Sequence, residues 1–246
     1  MRPCLPAGWL AEPNLSQRQS LQRDPARYAI GPQTVSGIIC AEEARRGLGT
    51  MRSDNLYELP KDIPAPVDDG AADHLTGMRI PSVPLRATAG RAVDLGQAVE
   101  HLRVVYCYPR TGEPDREPPG GLEAWNRVPG ARGCTPQTLG FREGFGQFRE
   151  MGVEVFGLST QSTEYQREAA ERLKLPFELL SDEGLALAGA LSLPTFRHAG
   201  MTLLRRLSMV VKAGIIVKVF YPVFPPDENA GEVLSWLAGQ AGSLRV

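Results

Sequence analysis

The sequence predicts an α/β fold, a central mixed sheet with helices on both of its faces. Three observations carry this. From residue 102 onward, short β-branched and aromatic runs alternate with amphipathic stretches of helical period. The order reads strand, helix, strand, helix, strand, helix, hairpin, helix, an alternation that buries a sheet between helical layers. The last two apolar runs flank Lys212, Ala213 and Gly214, a turn that makes the end of the sheet antiparallel.

Taken in order, residues 1–54 show no sustained period. Arginines and prolines (Arg18, Arg23, Arg27, Pro13, Pro25, Pro32) surround isolated apolar residues, which predicts a poorly ordered N-terminal extension. Met51 is a candidate alternative start, leaving residues 55–246 as the folded domain. Residues 57–87 are Pro-rich (Pro60, Pro64, Pro66, Pro81, Pro84) and read as an extended lead-in.

Residues 102–108, ended by Pro109, form a central strand, and residues 111–129 a loop rich in Pro and Gly. Cys134, Thr135 and Pro136 open a helix to about residue 151, with Pro136 suited to the first turn and Leu139, Phe145 and Phe148 as apolar positions. A strand at 153–158, a charged helix at 163–173 and a short strand at 177–180 follow. Asp182 caps a short helix over 183–191. Residues 201–211 and 215–220 pair as the hairpin, and 227–237 close the chain as a helix.

The chain has 246 residues, 42% apolar and 22% charged, with a formal net charge of −1. That charge gives no footprint for nucleic acid. No stretch reaches the ~20 apolar residues a membrane span needs, and the N-terminus lacks the basic and apolar regions of a signal peptide. The expected compartment is the cytoplasm.

The cysteines are Cys4, Cys40, Cys107 and Cys134. Their wide spacing contains no C-x-x-C pair and is not a disulfide framework. With only His74, His101 and His198 beside them, a metal site has little to draw on. Cys134 is the candidate reactive thiol. Only a thiolate is nucleophilic, and the free N–H groups at a helix start favour negative charge there. The preceding Gly130, Ala131, Arg132 and Gly133 keep the approach open and bring a guanidinium. Position alone also allows Cys134 to be a small residue at a helix cap.

The residues themselves carry a resemblance. Val105-Tyr-Cys-Tyr-Pro109, then Gly130-Ala-Arg-Gly-Cys-Thr-Pro-Gln137 with Phe141-Arg-Glu143, resembles the peroxiredoxin family, and within it the Q or bacterioferritin-comigratory type. The likeness spans roughly residues 57–237 and includes Phe156-Gly-Leu-Ser159 and Leu179-Leu-Ser-Asp182. It implies a thioredoxin-like fold, a cysteine at 134 that attacks a hydroperoxide and becomes a sulfenic acid, and no cofactor. It also implies an arginine on a late strand that holds the thiolate. Arg206 is the choice here, Arg205 facing the other way, with a solvated strand arginine as the alternative. Pro109 matches the family's active-site proline.

Three departures follow. The family's Thr or Ser three residues before the cysteine is Ala131 here, which leaves Thr111 as the candidate hydroxyl. Leu139 stands where many Q-type members carry a resolving cysteine. With Cys107 read as a buried strand residue, and Cys4 and Cys40 in the extension from which a flexible tail could reach the site, the prediction is a one-cysteine cycle completed by a thioredoxin-type protein or a low-molecular-weight thiol. The long insertion with Trp125 lies beside the site, where it could cover the cysteine, select larger hydroperoxides or dock a reductant, with simple packing as the alternative for Trp125. The expected assembly is a monomer or homodimer. The rival readings are a redox-inactive binding or chaperone-like module and a thiol–disulfide oxidoreductase, the second disfavoured by the missing C-x-x-C pair.

Overall fold

The structure, a computed structural model, describes residues 52–240. The extension expected over residues 1–54, Cys4 and Cys40 included, therefore falls almost wholly outside the described residues. The strands are β1 (Pro84–Ala87), β2 (Ala92–Asp94), β3 (Arg103–Cys107), β4 (Glu154–Ser159), β5 (Glu178–Ser181), β6 (Thr195–His198), β7 (Met201–Leu204), β8 (Leu207–Lys212) and β9 (Ile215–Phe220). The α-helices are α1 (Leu122–Asn126), α2 (Cys134–Glu150), α3 (Thr163–Arg172), α4 (Ala186–Leu191) and α5 (Asn229–Gly239).

Among the described residues, seven strands form one sheet in the order β2-β1-β5-β4-β3-β8-β9, and β6 and β7 form a separate ribbon. The centre is parallel (β3 with β4, β4 with β5), and both flanks are antiparallel. This is the expected mixed sheet.

The burial of β3 shows why it lies at the centre. All five of its residues are buried, as a strand covered on both faces requires. Val104 and Tyr106, with Tyr108 just beyond, face the layer made by Phe141 and Phe148 of α2 and by Val233 and Leu237 of α5. Val105 and Cys107 face the opposite layer, with Leu187 and Leu191 of α4. The Tyr106 ring stacks on Phe141 at 4.3 Å between centroids, and Phe141 lies 5.7 Å from Phe148. Such pairs contribute about 0.5–1.5 kcal/mol each beyond their buried area. They fix α2 against β3, which ends two residues ahead of Pro109.

The structure departs from the sequence reading in four places. The lead-in contains the hairpin β1–β2, in which Leu85, Ala87 and Val93 are buried. The 111–129 segment holds the short helix α1. The run expected as one strand over 201–211 breaks at Arg205 and Arg206, so that β7 leaves to pair with β6 while β8 joins the main sheet. The short helix after Asp182 starts at Ala186 with Leu185, not Asp182, as its N-cap residue, although the Asp182 carboxylate reaches in to accept the N–H groups of Leu187 and Ala188 at 3.1 and 2.8 Å. Among the described residues no helix is long and apolar enough to cross a membrane.

Gly157 on β4 stands opposite Tyr106. A Cβ there would lie 2.6 Å from Leu179 Cδ2, 2.7 Å from Tyr106 Oη and 2.8 Å from Tyr106 Cζ, so the aromatic stack needs a glycine beneath it. Gly157→Ala is expected to lower stability by about 1–3 kcal/mol, as overpacking does. The urea unfolding midpoint measures this.

Cys107 is wholly buried, and burial, with Asp182 adding, pushes its thiol far above the usual range. Burial does the same to the phenols of Tyr106 and Tyr108. Above a pH of roughly 8.5 the unfolded chain releases the Cys107 proton while the folded chain keeps it. The unfolded state then binds fewer protons, and stability falls as pH rises, by about 1.4 kcal/mol per pH unit for this group. The tyrosines join above roughly pH 10. Unfolding curves taken from pH 7 to 10 should show this decline, and Cys107→Ala should flatten it between about 8.5 and 10.

Candidate active site

Residue 133 has a backbone φ of +95°, a left-handed conformation that places Cys134 as the first residue of α2. A Cβ at Gly133 would also overlap Pro226 Cγ and lie 2.8 Å from Leu59 Cδ1. Conformation and packing both require glycine here. Pro136 lies in the first turn, where its missing N–H costs nothing, and the Gln137 N–H donates to Gly133 O at 2.9 Å. The sequence Gly-Cys-Thr-Pro-Gln thus builds a helix start with a thiol on it.

The break at Arg205 and Arg206 brings the second of these into the site. Arg206 is 3% exposed, and its Nη2 donates to Cys134 Sγ at 3.2 Å. The same nitrogen donates to Arg132 O at 3.0 Å, Gly130 O at 3.2 Å and Ala131 O at 3.4 Å. Cys134 is also 3% exposed, and its Sγ–H donates to Ala131 O at 3.5 Å. Arg206 is therefore a buried arginine on the sulfur, the first of the two alternatives. Arg205 turns away to Asp69, 3.0 Å distant.

A polar relay that sequence reasoning missed stands behind Arg206. Its Nη1 donates to Gln137 Oε1. Gln137 Nε2 donates to Asn229 Oδ1 at 2.9 Å, and Ser208 Oγ donates to the same oxygen at 2.6 Å. All three residues are buried. The available signal was spacing. Gln137 is three residues after Cys134 on one helix, and Ser208 two residues after Arg206 on a strand, so each pair shares a face.

A cavity of about 290 Å³ opens on Cys134. Its wall includes Leu56, Arg110, Thr111, Trp125, Arg132 and Thr135. Thr111 thus reaches the site, but its Oγ1 donates to Gln161 Oε1 at 3.1 Å and its N–H to the same oxygen at 2.8 Å. Pro109 is buried at the end of β3, with its carbonyl accepting from Ser159 Oγ at 3.1 Å, and it does not line the cavity. Trp125 of the insertion stands beside the site. It lines the cavity, and it packs on Phe196 and His198 at 6.5 and 5.1 Å between centroids.

Arg132 pairs with Asp54 at 2.6 Å, and Asp54 also holds Arg52 at 2.6 Å. Burial draws the Arg132 guanidinium below its usual range, Asp54 opposing and Arg52 adding to the effect. Arg52 and Asp54 fall within the expected N-terminal extension, yet Arg52 lines this cavity and Asp54 holds two of the arginines in its wall.

Comparison with known proteins agrees with the geometry. The family model described as Redoxin matches residues 75–234. The chloroplastic peroxiredoxin Q of Sedum lineare is 32% identical over 162 residues, covering 65% of this chain and 76% of the relative. Peroxiredoxin Q of Oryza sativa subsp. japonica, also chloroplastic, is 32% identical over 162 residues, and the match spans 65% of each chain. The chain therefore covers a little under two thirds of the rice protein's length. Among solved structures, the bacterioferritin comigratory protein of Xanthomonas campestris superposes with a TM-score of 0.52 at 21% identity, covering 73% of this chain and 99% of that one. The peroxidoxin BcpB of Mycobacterium tuberculosis gives 0.54 at 21% identity, covering 67% and 96%. These likenesses show the thioredoxin-like fold.

Proposed function

The chain belongs to the redoxin family, among the Q-type peroxiredoxins, and we propose that it is a thiol peroxidase whose Cys134 is oxidised by a hydroperoxide. The observation that carries the reading is the buried guanidinium of Arg206 3.2 Å from Cys134 Sγ, at a helix start that opens on a cavity.

In this mechanism the Cys134 thiolate attacks the terminal oxygen of the hydroperoxide. The S–O bond forms as the O–O bond breaks, and the carbon-linked oxygen leaves with the electron pair and takes a proton from water. Cys134 is left as a sulfenic acid. Arg206 balances the charge on sulfur, and the N–H groups at the start of α2 stabilise the developing negative charge. The wall of Leu56, Pro118 and Trp125 leaves room for an organic group beyond the peroxide. The Xanthomonas campestris protein has an alkyl peroxide reduction activity, and organic hydroperoxides join hydrogen peroxide as the substrates proposed here.

The cycle uses one cysteine. The only other cysteine among the described residues, Cys107, lies on the sheet face opposite Cys134, and Leu139 offers no thiol on α2. An external thiol, small or on a thioredoxin-type protein, condenses with the sulfenic acid and releases water. A second thiol then frees Cys134.

Reduced protein given one equivalent of hydrogen peroxide and a sulfenic-acid reagent should carry the adduct at Cys134 alone, as mapped by mass spectrometry. Arg206→Leu should slow this oxidation on the order of 100-fold, as loss of one charge-stabilising donor does. Peroxide consumption no faster than that of Cys134→Ser would overturn the reading.

A further inference from the structure

We propose that Thr135, the residue after the reactive cysteine, holds the hydroperoxide for attack through its side-chain hydroxyl; this rests on the peroxidase reading above. Thr135 is 1% exposed and lines the cavity together with Cys134. Its Oγ1 is buried and has no hydrogen-bond partner in the protein. Neighbouring buried hydroxyls differ: Thr111 donates to Gln161, Ser159 to Pro109 O and Ser208 to Asn229, and Thr138 accepts from Tyr106.

The cause is local. A threonine inside a helix usually returns its hydroxyl to the carbonyl four residues earlier. Thr135 is the second residue of α2, and the carbonyl four residues before it, Ala131 O, lies outside the helix, ahead of the left-handed Gly133. The hydroxyl therefore has no helical acceptor, and its Oγ1 has no other partner in the protein. A buried hydroxyl left in this state costs the folded protein stability and calls for a partner.

A hydroperoxide supplies one. Its terminal O–H donates to Thr135 Oγ1 while the Thr135 O–H donates to the far oxygen of the peroxide bond, which meets both needs of the hydroxyl and turns the terminal oxygen toward the adjacent sulfur. On attack that oxygen keeps its hydrogen and becomes the sulfenic acid. The carbon-linked oxygen departs with the bonding electrons and is protonated by water, so Thr135 is unchanged at the end. The role needs no further reactant.

The test compares wild type, Thr135→Val and Thr135→Ser. Each is assayed for the second-order rate of Cys134 oxidation by hydrogen peroxide and by cumene hydroperoxide, for alkylation by iodoacetamide, and for the thermal midpoint. Thr135→Val is expected to slow oxidation by both peroxides roughly 10- to 100-fold. Alkylation should be unchanged, because iodoacetamide does not need the hydroxyl. The thermal midpoint should not fall, because valine removes an unpaired polar atom. Thr135→Ser should keep a rate near that of wild type. Equal peroxide rates for wild type and Thr135→Val overturn the proposal alone. So does a Thr135→Ser as slow as the valine variant, or a parallel loss of alkylation, which would place the effect on the sulfur. A wild type that takes no oxygen from either peroxide overturns the peroxidase reading and this proposal with it.

Discussion

Arg206 is the constraint on which the site depends. Burying a guanidinium is costly unless its hydrogens and its charge are both answered. Three successive carbonyls, of Gly130, Ala131 and Arg132, and the amide oxygen of Gln137 answer the two Nη groups, while the Nε–H is buried without a partner in the protein. All four are neutral. Within that set of partners, Cys134 Sγ is the one atom able to carry a full negative charge. Fold and chemistry therefore make the same demand. The loop before α2 must curl so that its carbonyls converge on one point, and the sulfur must sit at that point.

The curl is imposed from both ends. Behind Arg206, the chain of Gln137, Asn229 and Ser208 ties α2, α5 and β8 into one buried network, so the guanidinium cannot move without unmaking bonds in three elements. In front, Gly133 takes a left-handed turn under Pro226 and Leu59, which ties the start of α2 to the C-terminal segment and to the lead-in. Below, the stack of Tyr106, Phe141 and Phe148 sets the height of α2 over the sheet. Position on the helix, rather than the reactivity of any isolated residue, is what these contacts share.

Much of this was legible in the sequence where the signal is local. The central strand at β3, the helix opening at Cys134 and the hairpin of β8 and β9 all follow from period and turn residues. The break between β7 and β8 did not, because residues 201–211 read as one apolar run. What interrupts it is a tertiary demand, the pull of Arg206 into a ring of carbonyls that no propensity encodes. The hairpin β1–β2 was hidden for a different reason. Its strands are short, and their prolines and turn residues resemble those of an irregular lead-in. At the site, Cys134 and Arg206 were found through the motif. Gln137, Asn229 and Thr135 escaped because their places depend on which polar groups the fold brings to them or withholds from them, and that is known only once the chain is folded.

The boundary of the domain carries the same lesson. Residues 52–56 lie ahead of the segment that matches the redoxin model, and their composition is that of the segment before them. Yet Asp54 places a carboxylate between Arg52 and Arg132, and Leu56 closes part of the cavity wall. Arg132 directly precedes the Gly-Cys turn, so its burial beside a second arginine needs that carboxylate. The insertion at 111–129 brings Pro118, Pro119 and Trp125 to the same cavity, with Trp125 braced on Phe196 of β6. The reacting sulfur is thus held by the part of the chain that follows the family pattern. Much of the space in front of it is shaped by the lead-in and the insertion, and on the peroxidase reading proposed above those residues would set which hydroperoxide can approach Cys134.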